Sequence, residues 1–257
     1  KQYYSNLKEK NLQYEHDFIF KNSSHKTSSE QLNLLDISIS EIRKSFSNHL
    51  NFNLKKKICV IHFRNEKNDY LRNNNLDNLF KTIKYLEKNN FQILIFSKKK
   101  INFTNQNIFW VDDNVHNKEI QILSIILCNL YIGPISGPFH LAKFLNKKMV
   151  IIDCVIFNHL IHHNNYRVIY KKYLKDSKIM SLKSILDNNL ECIWNQKILK
   201  NKGIDVLCNN EKEIFHATIE VLKKEFNQTI KKNTLDLLFK KKNYSKKSSN
   251  LMIRNTS

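Results

Sequence analysis

Glycine and proline are nearly missing from this chain: 257 residues hold three of the first and two of the second. That scarcity excludes the Gly-rich phosphate loops, and neither the Walker A spacing nor GxGxxG occurs. Cysteine is sparse as well. Cys59, Cys128, Cys154, Cys192 and Cys208 form no short pair of the kind that grips zinc, and three fall in apolar strand or helix patterns. They are expected to be reduced core residues of a cytosolic protein. No apolar run is long enough to cross a bilayer; the longest, residues 120–132, is broken by Ser124 and Asn129. No signal-peptide pattern opens the chain, and a start at Lys1 leads us to expect a longer parent protein. No nucleophile elbow is found, nor a Ser or Cys with an evident base. His159, His162 and His163 lack an acidic partner at ligand spacing, and Asp112-Asp113 suits a solvated loop end, so no metal is expected.

What the chain does have is positive charge. Lys and Arg number 43 against 23 Asp and Glu, a formal balance of +20, which favours anionic partners: nucleotides, nucleic acid or an acidic membrane surface. Much of the excess sits in Lys runs at 98–100, 240–242 and 246–247, where solvated loops and tails are the simpler explanation. No zinc finger or aromatic-basic RNA motif accompanies it. An apolar fraction of 41% and an aromatic fraction of 11% fit a folded domain with a substantial core.

Both prolines and two of the three glycines fall in one place, Gly133-Pro134-Ile135-Ser136-Gly137-Pro138. Leu130-Tyr131-Ile132 before it is strand-like, and Pro138 to Leu145 after it reads as a helix. Ser136 is suited to cap that helix and Pro138 to its first turn. Backbone N–H groups at such a start can hold a phosphate, and His140 would lie one turn along. A purely structural turn is the alternative.

Short apolar runs at 57–63, 92–96, 108–111 and 149–154 alternate with helical stripes such as Leu76, Leu79, Phe80, Ile83 and Leu86, with Asn74 or Asn75 near the cap. A further stripe carries Ile120, Leu123, Ile126 and Leu127, and Asn210 with Glu213 forms a capping box for a late helix. The pattern predicts βαβ units, hence an α/β, Rossmann-like parallel sheet with helices on both faces. Residues 1–54 are expected to be a helical segment, with a stripe from Leu35 to Leu50. Residues 55–226 form the Rossmann-like domain of this reading, and 227–257 a basic helical or flexible tail. The region 155–210 reads as mostly surface loops. Ligands of such sheets gather beyond the carboxyl ends of the strands. That rule selects 62–64, Ser97, Asp112-Asp113, 133–137 and Asp153.

Arginine is scarce beside lysine, which draws notice to His62-Phe63-Arg64 and to Asp69-Tyr70-Leu71-Arg72-Asn73. A guanidinium offers a planar fork of donors for phosphate or carboxylate that an ammonium does not reproduce. Asp69 is placed to fix Arg64 or His62. A surface ion pair at Arg64 and a strand-end His62 are the plain alternatives.

These segments resemble a group of bacterial glycosyltransferases found with surface-polysaccharide genes. In that group a strand ending in His-x-Arg precedes a Tyr and an Arg-Asn pair, as His62, Arg64, Tyr70, Arg72 and Asn73 do here. Its Phe-Ile-Gly-x-x-Ser-Gly matches Tyr131 to Gly137, and Asn209 to Ile214 resembles its late helix opening. The likeness covers roughly residues 55–225. More distantly, the chain is similar to heptosyltransferases through Ser136-Gly137 and His140, and to fucosyltransferases of the GT-B fold through His62, Arg64 and Asp69. The resemblance implies a GT-B-like, metal-independent transferase without a cofactor, using a nucleoside-diphosphate sugar as donor and a glycan or lipid-linked acceptor. It implies a cytoplasmic location, in reach of peripheral association with an anionic membrane, and no nucleic-acid partner. Arg64 and Asp69 would be catalytic. His62, Arg64, Tyr70, Arg72, Asn73, Ser97, Gly133, Ser136, Gly137 and His140 would contact the donor. Ile95-Phe96-Ser97 stands where the group carries Arg-Met-Gly, and the stretch before the first strand is too short for a complete N-terminal Rossmann domain, so the resemblance implies that 1–54 is a helical segment or remnant of an acceptor domain and 55–226 a nucleotide-sugar-binding domain. A basic module binding nucleic acid or an anionic membrane is the non-enzymatic alternative.

Overall fold

Segments such as Ile58-Cys59-Val60-Ile61 and Ile93-Leu94-Ile95-Phe96 have no polar face, so a strand built from them must be covered on both sides. The computed structural model, which describes residues 53, 55–67, 70–98, 107–112, 118–156, 165–191, 193 and 195–223, meets that requirement. Strands β1 (Lys57–His62), β2 (Phe91–Ser97), β3 (Ile108–Asp112), β4 (Leu130–Gly133), β5 (Lys148–Cys154) and β6 (Tyr166–Tyr170) form one sheet of order β3-β2-β1-β4-β5-β6. Every pairing in it is parallel. The helices are α1 (Phe80–Lys88), α2 (Lys118–Leu127), α3 (Gly137–Phe144), α4 (Leu182–Asp187), α5 (Gln196–Asn201) and α6 (Glu211–Lys223).

Successive strand residues alternate between two cores. Val60, Leu94, Phe96, Tyr131 and Ile151 join Leu123 and Ile126 of α2 and Phe139 and Ala142 of α3 on one face. Cys59, Ile61, Ile93, Ile132 and Val150 join Ile83 and Leu86 of α1 and Ile214, Ala217 and Val221 of α6 on the other. Each fully buried aliphatic side chain contributes about 1.5–3 kcal/mol, so the two layers, not the connecting loops, hold the sheet together. The architecture is the predicted one: a Rossmann-like parallel sheet with helices on both faces.

The expected loop region holds more structure than its sequence suggested. Between 165 and 207 lie β6, α4, α5 and a small antiparallel sheet of β7 (Lys172–Lys175), β8 (Lys178–Ile179) and β9 (Ile204–Leu207), ordered β8-β7-β9. These strands are short and largely half-buried or exposed, so no continuous apolar run announces them. The helical stripe expected from Leu35 to Leu50, the expected basic tail, Asp69, Asp113 and His159 to His163 lie outside the described residues.

Glycine scarcity is offset by asparagine. Asn90, Asn146 and Asn189, at φ of 63°, 51° and 52°, follow the ends of α1, α3 and α4 in the left-handed conformation that usually calls for glycine. The capping box of α6 is present: Asn210 N–H donates to Glu213 Oε2 at 2.9 Å and Glu213 N–H to Asn210 Oδ1 at 3.0 Å. Of Asn74 and Asn75, it is Asn75 that accepts a backbone N–H, from Asp77 at 3.0 Å, where a 3-10 turn, Asp77–Leu79, leads into α1; in the first turn of α1 itself, Lys81 N–H donates to Glu211 Oε1 at 3.0 Å.

Gly133, the last residue of β4, is where a side chain cannot go. A Cβ there would sit 2.8 Å from the Tyr131 hydroxyl and 2.9 Å from His62 Cβ, whereas one on Gly137 would meet nothing within 4 Å. Gly133→Ala should therefore cost about 1–3 kcal/mol by overpacking, while Gly137→Ala should be neutral or stabilise by up to about 1 kcal/mol. Urea unfolding of both variants checks this; equal effects would mean the β1–β4 junction is not tightly packed.

Candidate functional site at the switch point of the sheet

From β1 the chain winds outward through β2 to β3, then crosses back to lay β4 against the other side of β1. In an open α/β sheet the crevice beyond such a reversal, at the carboxyl ends, is the standing place for a ligand. Here the two carboxyl ends are His62 and Gly133.

The two ends are tied by a buried hydrogen bond. His62 Nδ1 and Ser136 Oγ lie 2.8 Å apart, with the two residues only 3% and 7% exposed. Either imidazole tautomer satisfies it, as donor to the hydroxyl oxygen or as acceptor of its proton. The fully buried Tyr131 hydroxyl is 3.3 Å from the same Oγ and donates to the Pro134 carbonyl at 3.4 Å. Ser136 thus stands at the N-cap position of α3, with extended backbone, but its hydroxyl makes no capping bond. The expectation that it caps the helix is corrected: His62 and Tyr131 have claimed the group. The start of α3 keeps its partial positive charge with no side-chain oxygen from Ser136 upon it. Gly137 and His140 on this helix are both exposed.

The exit from β1 is held with equal care. Asn74, 7% exposed, accepts from Arg64 N–H at 2.7 Å, donates to the His62 carbonyl at 3.1 Å, and its own N–H reaches the Arg64 carbonyl at 3.2 Å. Asn73 makes a two-way clamp on Glu66, accepting from its N–H and donating to its carbonyl, both at 2.8 Å. These bonds fix the backbone that carries the half-buried Arg64. Asn73, predicted to touch the donor, spends its amide on this loop instead.

The other predicted residues spread along the rim. Ser97, at the end of β2, accepts from Trp110 Nε1 at 3.0 Å. Arg72 is half-buried and Tyr70 is 58% exposed, both in the 3-10 turn Tyr70–Arg72. A cavity of about 240 Å³ opens at Ser97, lined also by Phe63, Asn65 and Lys98. Lys98 pairs with Glu66 at 2.6 Å. Among the described residues no group of three or more His, Cys, Asp or Glu is arranged to hold a metal ion, and no helix is long and apolar enough to cross a membrane.

Sequence reasoning missed the part played by Asn74, Tyr131, Lys171 and Asn209. The run Asn73-Asn74-Asn75 was a visible signal, since a short amide side chain is the usual means of pinning irregular backbone. Asp153, noted on the rim, lies within the register shift between Ile151 and Cys154, at a φ of 53°. It is locked reciprocally to Asn209: its N–H donates to Asn209 Oδ1 at 2.6 Å, and its Oδ1 accepts from Asn209 N–H at 2.7 Å.

Comparison with known proteins finds no matching family model and no matching curated protein. Among solved structures, the chain is similar to ADP-heptose LPS heptosyltransferase II of E. coli, at 14% identity and a TM-score of 0.48 over 74% of this chain and 53% of that one. It is also similar to a family 9 glycosyl transferase of Veillonella parvula, at 9% identity and a TM-score of 0.42 over 72% and 51%. The chain therefore spans about half the length of each.

Burial raises the Asp153 carboxyl from its ordinary value to about 6, with the Lys171 charge, the Asn209 N–H and the Cys208 thiol pulling the other way. A native state that keeps its proton longer than the unfolded chain gains stability at low pH and loses it as pH rises. The contribution, on the order of 3 kcal/mol, is complete below about pH 4 and lost by about pH 7. Urea unfolding between pH 4 and 7 should show this decline in the wild type and a flatter profile in Asp153→Asn. Equal slopes would mean the carboxyl is not buried as described.

Proposed function

We propose that this chain is the donor-binding half of a GT-B-like glycosyltransferase, moving a sugar from a nucleoside-diphosphate donor to a surface glycan or lipid-linked acceptor. The observation that carries this is the His62–Ser136 bond at the reversal of the strand order, which sets the Arg64 loop beside the start of α3. A diphosphate needs two kinds of partner. Backbone amides at a helix start supply aligned dipoles, and a guanidinium supplies a full, forked positive charge.

In this mechanism the bond from the sugar's anomeric carbon to the diphosphate oxygen breaks while the acceptor hydroxyl oxygen bonds to that carbon and gives up its proton to a base. Negative charge grows on the departing diphosphate. Arg64 and the first-turn amides of α3 meet that charge where it develops, which lowers the barrier without a metal ion. By the motif resemblance Asp69 would fix Arg64 or His62, and His140 lies one turn further along the helix. The cavity beside Phe63 and Ser97 is smaller than a whole ligand pocket and suits one portion of the donor, its nucleoside or its sugar. The catalytic base and the acceptor site belong to a second half, which would work at the inner face of the membrane where lipid-linked acceptors lie.

Supporting this reading are the motif resemblance across the two segments and the excess positive charge of the chain, which raises the local concentration of an anionic donor. Calorimetric titration with ADP, GDP, UDP, CDP and TDP tests it. At least one should bind, and Arg64→Ala should weaken that binding roughly 10- to 100-fold with an unchanged unfolding midpoint. Arg64→Lys should restore only part of it. If none of the five nucleotides binds, the proposal fails.

A further inference from the structure

A second polar cluster lies at the carboxyl ends of β5 and β6, and it reaches the Arg64 loop through one side chain. Lys171 is the single residue between β6 and β7, where the chain leaves the parallel sheet for the small antiparallel one. Its backbone N–H donates to the Cys154 carbonyl at 2.9 Å, and the residue is only 4% exposed. A lysine is rarely buried so far without a purpose for its charge. Its ammonium donates to the Asn73 carbonyl at 2.6 Å and to Cys208 Sγ at 3.3 Å. Cys208 also points its thiol at the Asn73 carbonyl, at 3.7 Å. Burial, then the nearby Asp153, raises the Cys208 thiol above its ordinary range, so it stays a neutral neighbour.

From Asn73 the connections run directly into the candidate site. Its side chain clamps Glu66, and the next residue, Asn74, clamps His62 and Arg64. Behind Lys171 the cluster is anchored in turn. Asn209 donates to the Tyr170 carbonyl at 2.9 Å, and Asn78 donates to the Asn209 carbonyl at 2.7 Å. Asp153, held by Asn209, supplies the negative charge that the Lys171 ammonium faces.

We propose that Lys171 is a positioning residue for Arg64: its ammonium holds the Asn73 carbonyl, and through the Asn73-Asn74 pair it fixes the backbone of residues 62–66. Three strands that do not adjoin β1 thereby set the geometry at the end of β1. This deepens the transferase reading, naming how its anion-binding loop is held, but the tether is measurable without any ligand.

The test is amide hydrogen exchange by NMR on the full chain, comparing wild type, Lys171→Met and Lys171→Arg. In Lys171→Met the Arg64 and Glu66 amides should exchange at least about tenfold faster relative to Ile93 and Leu94 of β2, which report global stability. Lys171→Arg, which retains a donor and a charge, should recover most of that protection. Unchanged Arg64 and Glu66 exchange in Lys171→Met, or a loss shared equally with β2, overturns the proposal. Should Lys171→Met not fold, the shifts of Lys171→Arg decide. Changes reaching Asn74, Arg64 and Glu66 support the tether, and changes confined to Asp153, Cys208 and Asn209 overturn it. Nucleotide titration of the wild type judges the transferase reading separately, since a folded chain that binds no nucleotide leaves the exchange result standing.

Discussion

The ends of β1 and β4 are joined so closely that one of them cannot carry a side chain at all. The hydrogen bond between His62 and Ser136 requires the two strand ends to converge, and convergence puts His62 Cβ within 2.9 Å of where a side chain on Gly133 would begin. The buried Tyr131 hydroxyl fills what space remains. From this junction follow the direction in which α3 leaves the sheet and the place where the β1 loop must turn. It also removes Ser136 from capping duty, so a helix whose sequence suggests self-sufficiency is left with a start that attracts anions.

A rim that must stay open for a ligand cannot be held by hydrophobic layers, because apolar cover would close it. This chain holds its rim with amides instead. Asn73, Asn74, Asn78 and Asn209 each bond backbone groups of another segment, and Asn90, Asn146 and Asn189 take the left-handed helix ends. Individually such bonds contribute about 1 kcal/mol, but each also satisfies a buried backbone group whose exposure to apolar surroundings would cost more. Asparagine thus serves two purposes here that other chains divide between glycine and longer polar loops.

That division explains which parts of the fold were legible. Strands with two apolar faces, such as 58–61 and 93–96, and helices with a clean stripe, such as Leu79, Ile83 and Leu86, are written in periodicity, and they came out close to where they were predicted. So did the capping box at Asn210 and Glu213, a purely local signal. The small sheet β7-β8-β9 was not legible, since two-residue β8 and the exposed faces of its neighbours carry no run of apolar residues. The site was half legible. Sequence marked His62, Arg64 and Ser136 as chemistry-bearing, but the partner of each is set by tertiary packing 74 residues away in one case and 10 in another. Asn74 resembled a helix cap because Asn is a good one; a 3-10 turn before α1 released it for the loop.

The cost of this design falls on Asp153. A carboxyl 2% exposed, on a left-handed backbone, with its proton retained up to about pH 6, is an expense no core needs. Replacing such groups by apolar ones commonly leaves a fold as stable or more so. What an apolar replacement could not do is face an ammonium at Lys171, and without a countercharge that buried ammonium would be drawn out toward water. The Asn73 carbonyl would then lose its strongest donor. A loop fixed before the ligand arrives binds it with less ordering cost than one that must be gathered on contact. Stability given up at Asp153 would in that case be set against rigidity some distance away, in the backbone that carries Arg64.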